Sequence, residues 1–166
     1  MAYKLQPILK TYYEGLDKGI IYGAKCKECG DLAFPPLPTC QACGSDEFEW
    51  VELPHELILK EIRWENSSVG GDYTWRKGNI FFKTPMQEER YCASVVQFDV
   101  PGSHPFHVAL YGPTEENYQE LRKMLPLKVD VKFIEHKKDF LSVGAQVRQE
   151  DIDRANAAAE AAKAEA

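Results

Sequence analysis

Long hydrophobic runs are missing from this chain of 166 residues: no apolar stretch approaches the roughly 18 residues needed to cross a bilayer. No membrane partner is therefore expected. The opening "MAYKLQPILKTYYEGLDKG" also lacks the apolar core of a secretory leader. A cytoplasmic location follows as the expectation, and there thiols stay reduced, which disfavours disulfides. A basic excess is missing too. Lysine and arginine number 20 against 26 acidic residues, for a formal charge of -6. Phosphate neutralisation supplies most of a nucleic-acid binder's affinity, so this balance has the wrong sign for such a partner and none is expected. A single-stranded nucleic-acid module remains the alternative reading, because small barrels and zinc ribbons both serve that purpose.

Catalytic patterns are likewise lacking. No G-x-S-x-G, H-E-x-x-H, P-loop or G-x-G-x-x-G occurs. Histidine is scarce: His55, His104, His107 and His136. His104 and His107 stand three apart in an expected strand, on opposite faces, and could not readily share a metal. Carboxylate-rich stretches such as "MQEER" and "TEEN" read as solvated surface. No catalytic residue is assigned.

What is present is concentrated. "CKECGDLAFPPLPTCQACG" (26–44) carries four of the five cysteines as two C-x-x-C-G pairs, with three prolines between them. Each pair can aim two thiolates at one ion, and the glycine accepts the backbone conformation a knuckle needs. Two pairs supply a closed tetrahedral shell with no place for water, which is a structural rather than a catalytic zinc site. The expected ligands are Cys26, Cys29, Cys40 and Cys43, with structural zinc as cofactor. Lys25 and Lys27 flank the first pair and would offset the thiolate charge. A redox C-x-x-C would want a thioredoxin-like βαβ context, which is absent. Four thiolates could also hold one iron, but the short separation favours zinc. Cys92, in an alternating strand, reads as a small buried hydrophobe.

Around the clip the pattern is mostly β. Residues 5–18 place Leu5, Ile8, Leu9, Tyr12, Tyr13 and Leu16 at helical spacing, with Gly15 and Gly19 near the end. "IIYGAK" leads into the clip as a strand. "FEWVEL", "LILKEIRW", "YCASVVQFDV", "HPFHVALYG", "LKVDVKFIEH" and "FLSVGAQV" read as further strands. "TEENYQELRKML" (114–125) reads as a helix opened by Thr114, with Asn117 where a capping box usually has Glu. One helix before the penultimate strand suggests a small Greek-key barrel of OB type. The tail "QEDIDRANAAAEAAKAEA" forms a helix but shows no broad apolar stripe, so it needs a partner surface or frays. The expected division is an N-terminal helix over 1–19, a rubredoxin-like zinc ribbon over 20–48, a barrel over 49–148 and an Ala-rich helix over 149–166. The fold class is thus mainly β with flanking helices.

Residues 65–90 are less regular. Within them "GDYTWRKGNIFFK" (71–83) has one acid against three bases, and Tyr73, Trp75, Arg76 and Lys77 form its candidate ligand- or partner-binding group. The plainer reading is a long hairpin whose aromatics cap the barrel.

"YYEGLDKGIIYGAKCKECGDLAFPPLPTCQACGSDEFEWVEL" resembles the N-terminal half of the zinc-ribbon plus OB-fold proteins associated with acyl-CoA metabolism. The shared elements are an aromatic helix ending near "EGL", the two C-x-x-C-G pairs, the "FPP" step and a "W-V" strand. The resemblance covers about residues 8–147 and is looser over the barrel. It implies a non-catalytic small subunit beside a thiolase-fold enzyme chain, or beside a hot-dog-fold hydratase, near the path of a CoA ester. It also implies zinc on Cys26, Cys29, Cys40 and Cys43, with Phe34, Pro35 and Pro36 shaping the ribbon. The 65–90 segment and the Ala-rich tail depart from the common pattern and look like interface additions.

Overall fold

The computed structural model describes residues 5–63, 81–82, 91–136 and 140–164. Helix α1 (Leu5–Asp17) turns Tyr12 and Leu16, one turn apart, into the core and leaves Leu9 and Tyr13 exposed. It runs through Gly15 and ends at Asp17, and the turn that follows contains Gly19, which has a positive φ of 74°. Strands β1 (Ile21–Cys26), β2 (Leu32–Ala33) and β3 (Phe48–Leu53) form an antiparallel sheet in the order β2-β1-β3. β3, expected at the start of the barrel, pairs instead along the whole of β1, from Ile21 opposite Leu53 to Cys26 opposite Phe48. A strand's alternation states that it will pair, not with what.

The second sheet comprises β4 (Glu56–Ile62), β5 (Phe81–Phe82), β6 (Tyr91–Phe98), β7 (Phe106–Tyr111), β8 (Leu127–His136) and β9 (Phe140–Gln146). Its order is β4-β8-β9-β7-β6-β5, and β4 pairs with β6 as well. That pairing closes five strands into a barrel and leaves β5 outside the ring. β7 and β9 run parallel; the other pairings are antiparallel. A register shift between Leu59 and Glu61 bends β4 so that it can meet both β6 and β8.

The core follows from period-two alternation. Cys92, Ser94, Val96 and Phe98 of β6 point inward and are buried, as are Leu57, Leu59, Leu110, Val129 and Ala145 from the other barrel strands. Each fully buried aliphatic side chain contributes about 1.5–3 kcal/mol. Cys92 lies in this interior with its Sγ 3.8 Å from the Leu110 carbonyl, and burial pushes its thiol up to about 12.

Between β7 and β8 lies a short helix, α2 (Tyr118–Lys123). It is shorter than the expected 114–125 because residues 114–117 form a turn in which the Thr114 N–H donates to Asn117 Oδ1 at 2.8 Å. The long C-terminal helix α3 (Gln149–Ala164) lies in the Ala-rich tail. Its partner surface belongs to the same chain. Ala155 and Ala159, four apart, are buried as α3 packs on α2, and fully buried Asn117 donates from Nδ2 to Asn156 Oδ1 at 2.7 Å. Small side chains let the two helices approach closely without the broad apolar stripe that was missing from the sequence. At its start, Arg148 pairs with Glu56 at 2.6 Å and Asp130 at 2.8 Å. Among the described residues no helix is long and apolar enough to cross a membrane.

Ribbon and barrel are stitched together. The Leu32 N–H donates to the Gly102 carbonyl at 3.0 Å, and Leu32 forms a parallel bridge with Ser103. A Cβ at Gly102 (φ 80°) would stand 2.6 Å from the Gly30 carbonyl oxygen, so only glycine permits this approach. Beside it the Phe34 ring packs edge-on against Phe98 and Phe106, with centroids 5.0 and 4.8 Å away.

Candidate metal centre

The two C-x-x-C-G pairs fold into matching knuckles. The Gly30 N–H donates to the Cys26 carbonyl at 3.0 Å, and the Gly44 N–H to the Cys40 carbonyl at 2.9 Å. Each knuckle closes again one residue on, with Cys26 N–H to Asp31 and Cys40 N–H to Ser45, both at 2.8 Å. Gly30 and Gly44 have φ of 77° and 79°, the left-handed conformation that turns the chain back under its thiols.

The knuckles face each other and bring the Sγ atoms of Cys26, Cys29, Cys40 and Cys43 within 4.8 Å of one another. Cys26 and Cys43 stand 3.6 Å apart, as do Cys29 and Cys40. Thiolates placed tetrahedrally about 2.3 Å from one zinc ion would be about 3.8 Å apart, so the donor set fits the ion. The backbone N–H of Cys29, working against desolvation, brings the Cys26 thiol down to about 7. This is a rubredoxin-like zinc ribbon with four cysteines placed to bind a structural zinc. A closed shell of thiolates contributes folding energy and offers no open position for substrate or water.

Around it the structure adds residues that the sequence did not single out. The Asp31 carboxylate accepts from Cys40 Sγ at 3.8 Å through Oδ2 and meets His104 Nε2 at 2.5 Å through Oδ1. His104 lies before β7, not within it, and its partner is 73 positions away. Nothing in local spacing could have found that pair. His107 is exposed, and the His55 ring packs edge-on against Phe133. Lys25 and Lys27 do not simply face the thiols: their ammonium groups lie 3.9 Å from Glu49 and Glu47. Tyr73, Trp75, Arg76 and Lys77 lie outside the described residues.

A zinc ribbon followed by a closed five-stranded barrel is the class of protein that this geometry defines. Residues 14–49 match the family model of the ChsH2 rubredoxin-like zinc ribbon domain. The benzoylsuccinyl-CoA thiolase subunit BbsA of Thauera aromatica is 52% identical over 31 residues, 19% of this chain. That match spans about a fifth of the relative's own length, 22%. The fold is similar to the solved Ltp2-ChsH2(DUF35) aldolase, with a TM-score of 0.56 and 15% identity over 83% of this chain and 92% of that one. At that identity the likeness concerns the fold alone. A DUF35-family protein of unknown function from Sulfolobus solfataricus aligns over 88% of this chain and 90% of its own, with 16% identity and a TM-score of 0.49.

Proposed function

We propose that the chain is a non-catalytic accessory subunit of a thiolase- or aldolase-type enzyme that works on acyl-CoA esters. The observation that carries this reading is the 52% identity over 31 residues to a subunit of a CoA-ester thiolase. The closed four-thiolate set, which can stabilise a surface but not perform chemistry, supports it. Cys26, Cys29, Cys40 and Cys43 are its zinc ligands. The finer reading is a thiolase-fold partner in the cytoplasm, with benzoylsuccinyl-CoA, an intermediate of anaerobic toluene degradation, as the ester. Tyr73, Trp75, Arg76 and Lys77 are the residues we assign to the ester or to the partner.

The barrel we read as OB type. Its first strand (β4) pairs with the second (β6) and the fourth (β8), its third runs parallel to its fifth, and a helix joins the third to the fourth. Because β3 pairs with β1, we divide ribbon from barrel after Leu53 rather than at residue 48.

The test is gentle affinity purification of the full chain from its source, followed by mass spectrometry of co-eluting chains. A thiolase- or aldolase-type chain in fixed ratio is expected. Recovery of the chain alone, or with nucleic acid, would overturn the reading.

A further inference from the structure

We propose that the groove between α1 and the ribbon sheet is the docking site for the partner enzyme chain, and that its occupant is a large apolar side chain on a lysine- or arginine-bearing segment. This rests on the accessory-subunit reading above and names the surface that would serve it.

Apolar exposure is unevenly distributed. Among the described residues the exposed large hydrophobics are Leu9 (50%), Tyr13 (38%) and Trp50 (40%). All three belong to α1 or to the ribbon, and none to the barrel. A groove of about 320 Å³ lies on the same part of the molecule, with Ile8 of α1, Leu37 of the inter-knuckle loop and Phe48 and Trp50 of β3 in its lining. Small-molecule pockets run from about 300 to 1,000 Å³, so there is room here for one or two side chains and not for a whole nucleotide thioester. Trp50 is half fixed, its ring set edge-on against Tyr22 at 6.0 Å. A rigid, partly exposed tryptophan is the residue type that most often anchors a protein interface.

Charge selects the occupant. The exposed carboxylates Asp46 and Glu47 belong to the groove lining itself. From Ile21 to Leu53 the ribbon holds six acidic residues against Lys25 and Lys27. Both lysines already face ribbon carboxylates at 3.9 Å. Four thiolates around a divalent cation add a further formal charge of about -2. Such a surface repels the phosphates of CoA and attracts a cation, which can pair with the carboxylates or lie over the Trp50 ring. An apolar side chain flanked by lysine or arginine satisfies both the groove and its charge.

The test uses the full zinc-loaded chain and the enzyme chain that co-elutes with it. Trp50→Ala should weaken that complex about thirty-fold or more, as expected for an anchor. Glu47→Lys should weaken it several-fold and flatten its salt dependence. Zinc content and unfolding midpoint serve as controls for folding. p-Benzoylphenylalanine in place of Trp50 should cross-link to a segment of the enzyme chain that carries an apolar residue beside lysine or arginine. This cross-link and Glu47→Lys keep the proposal falsifiable if Trp50→Ala does not fold. Wild-type affinity in Trp50→Ala and Glu47→Lys, or a cross-link to an acidic or wholly polar segment, would overturn the groove while leaving the accessory role intact. Failure of the wild-type chain to hold any enzyme chain would overturn both.

Discussion

Every second residue of β6 from Cys92 to Phe98 is buried, whereas β3 of the ribbon buries only Leu53 along its length. The barrel strands share one continuous core, which Ile21, Leu32 and Leu53 of the ribbon join at its margin, and the ribbon's other buried side chains include two of its own proposed ligands, Cys26 and Cys40. The two regions therefore depend on different physics. The barrel is held by apolar area removed from water, which accumulates strand by strand and fails cooperatively. The ribbon has a two-residue edge strand and a proline-rich loop, too little to enclose a core, so a single ion must take the place of one. What joins them runs through a few residues: the Leu32 bridge and its hydrogen bond to Gly102, the Asp31–His104 pair, and the Phe34 ring against Phe98 and Phe106.

Removing the ion separates the two regions most sharply. Apparent zinc-binding energies of small domains are on the order of 10 kcal/mol, so Cys40→Ser or a strong chelator should abolish ordered structure over 21–53. Amide NMR signals of the ribbon should collapse while those of β4 and β6 retain their dispersion; equal loss in both would show that the barrel, too, depends on the metal. Next in size, Leu57→Ala in the barrel should cost about 2–5 kcal/mol in denaturant unfolding, with zinc still bound in the native state. The joint itself comes third. A double-mutant cycle between Phe34→Leu and Phe106→Leu should give a coupling of about 0.5–1.5 kcal/mol, and additive effects would mean that this ring contact does not couple the two regions.

The smallest effect is an acid one. The hydrogen bond from Lys128, followed by that from Arg148, holds the Glu56 carboxyl below its ordinary value. Its contribution is therefore fully present above the usual carboxylate range near pH 4.3 and is lost as pH falls through the lower folded value. Amide signals of 148–152, where α3 begins, should shift in that window and not in Glu56→Gln.

The features readable from sequence were those written in local spacing. β8 spans the alternating residues 127–136 as expected, and the cysteine pairs specify their own knuckles and meeting point. The helix before the penultimate strand was enough to suggest the barrel. Partners distant in sequence were not readable. Ala155 and Ala159 form a contact face too small to register as an apolar stripe, and Asp31 meets His104 only because the ribbon folds onto the turn after β6. The groove escaped for the same reason, since residues 8, 37, 48 and 50 converge only in three dimensions.

Each knuckle buries its first cysteine and exposes its second: Cys26 and Cys40 are covered, Cys29 and Cys43 face solvent. The clip is therefore asymmetric in time as well as in space. A chelator, an oxidant or an incoming ion meets Cys29 and Cys43 first, and the covered pair must wait for them. Metal exchange should then proceed from one side, with Cys29→Ser or Cys43→Ser hastening zinc release more than any change on the barrel.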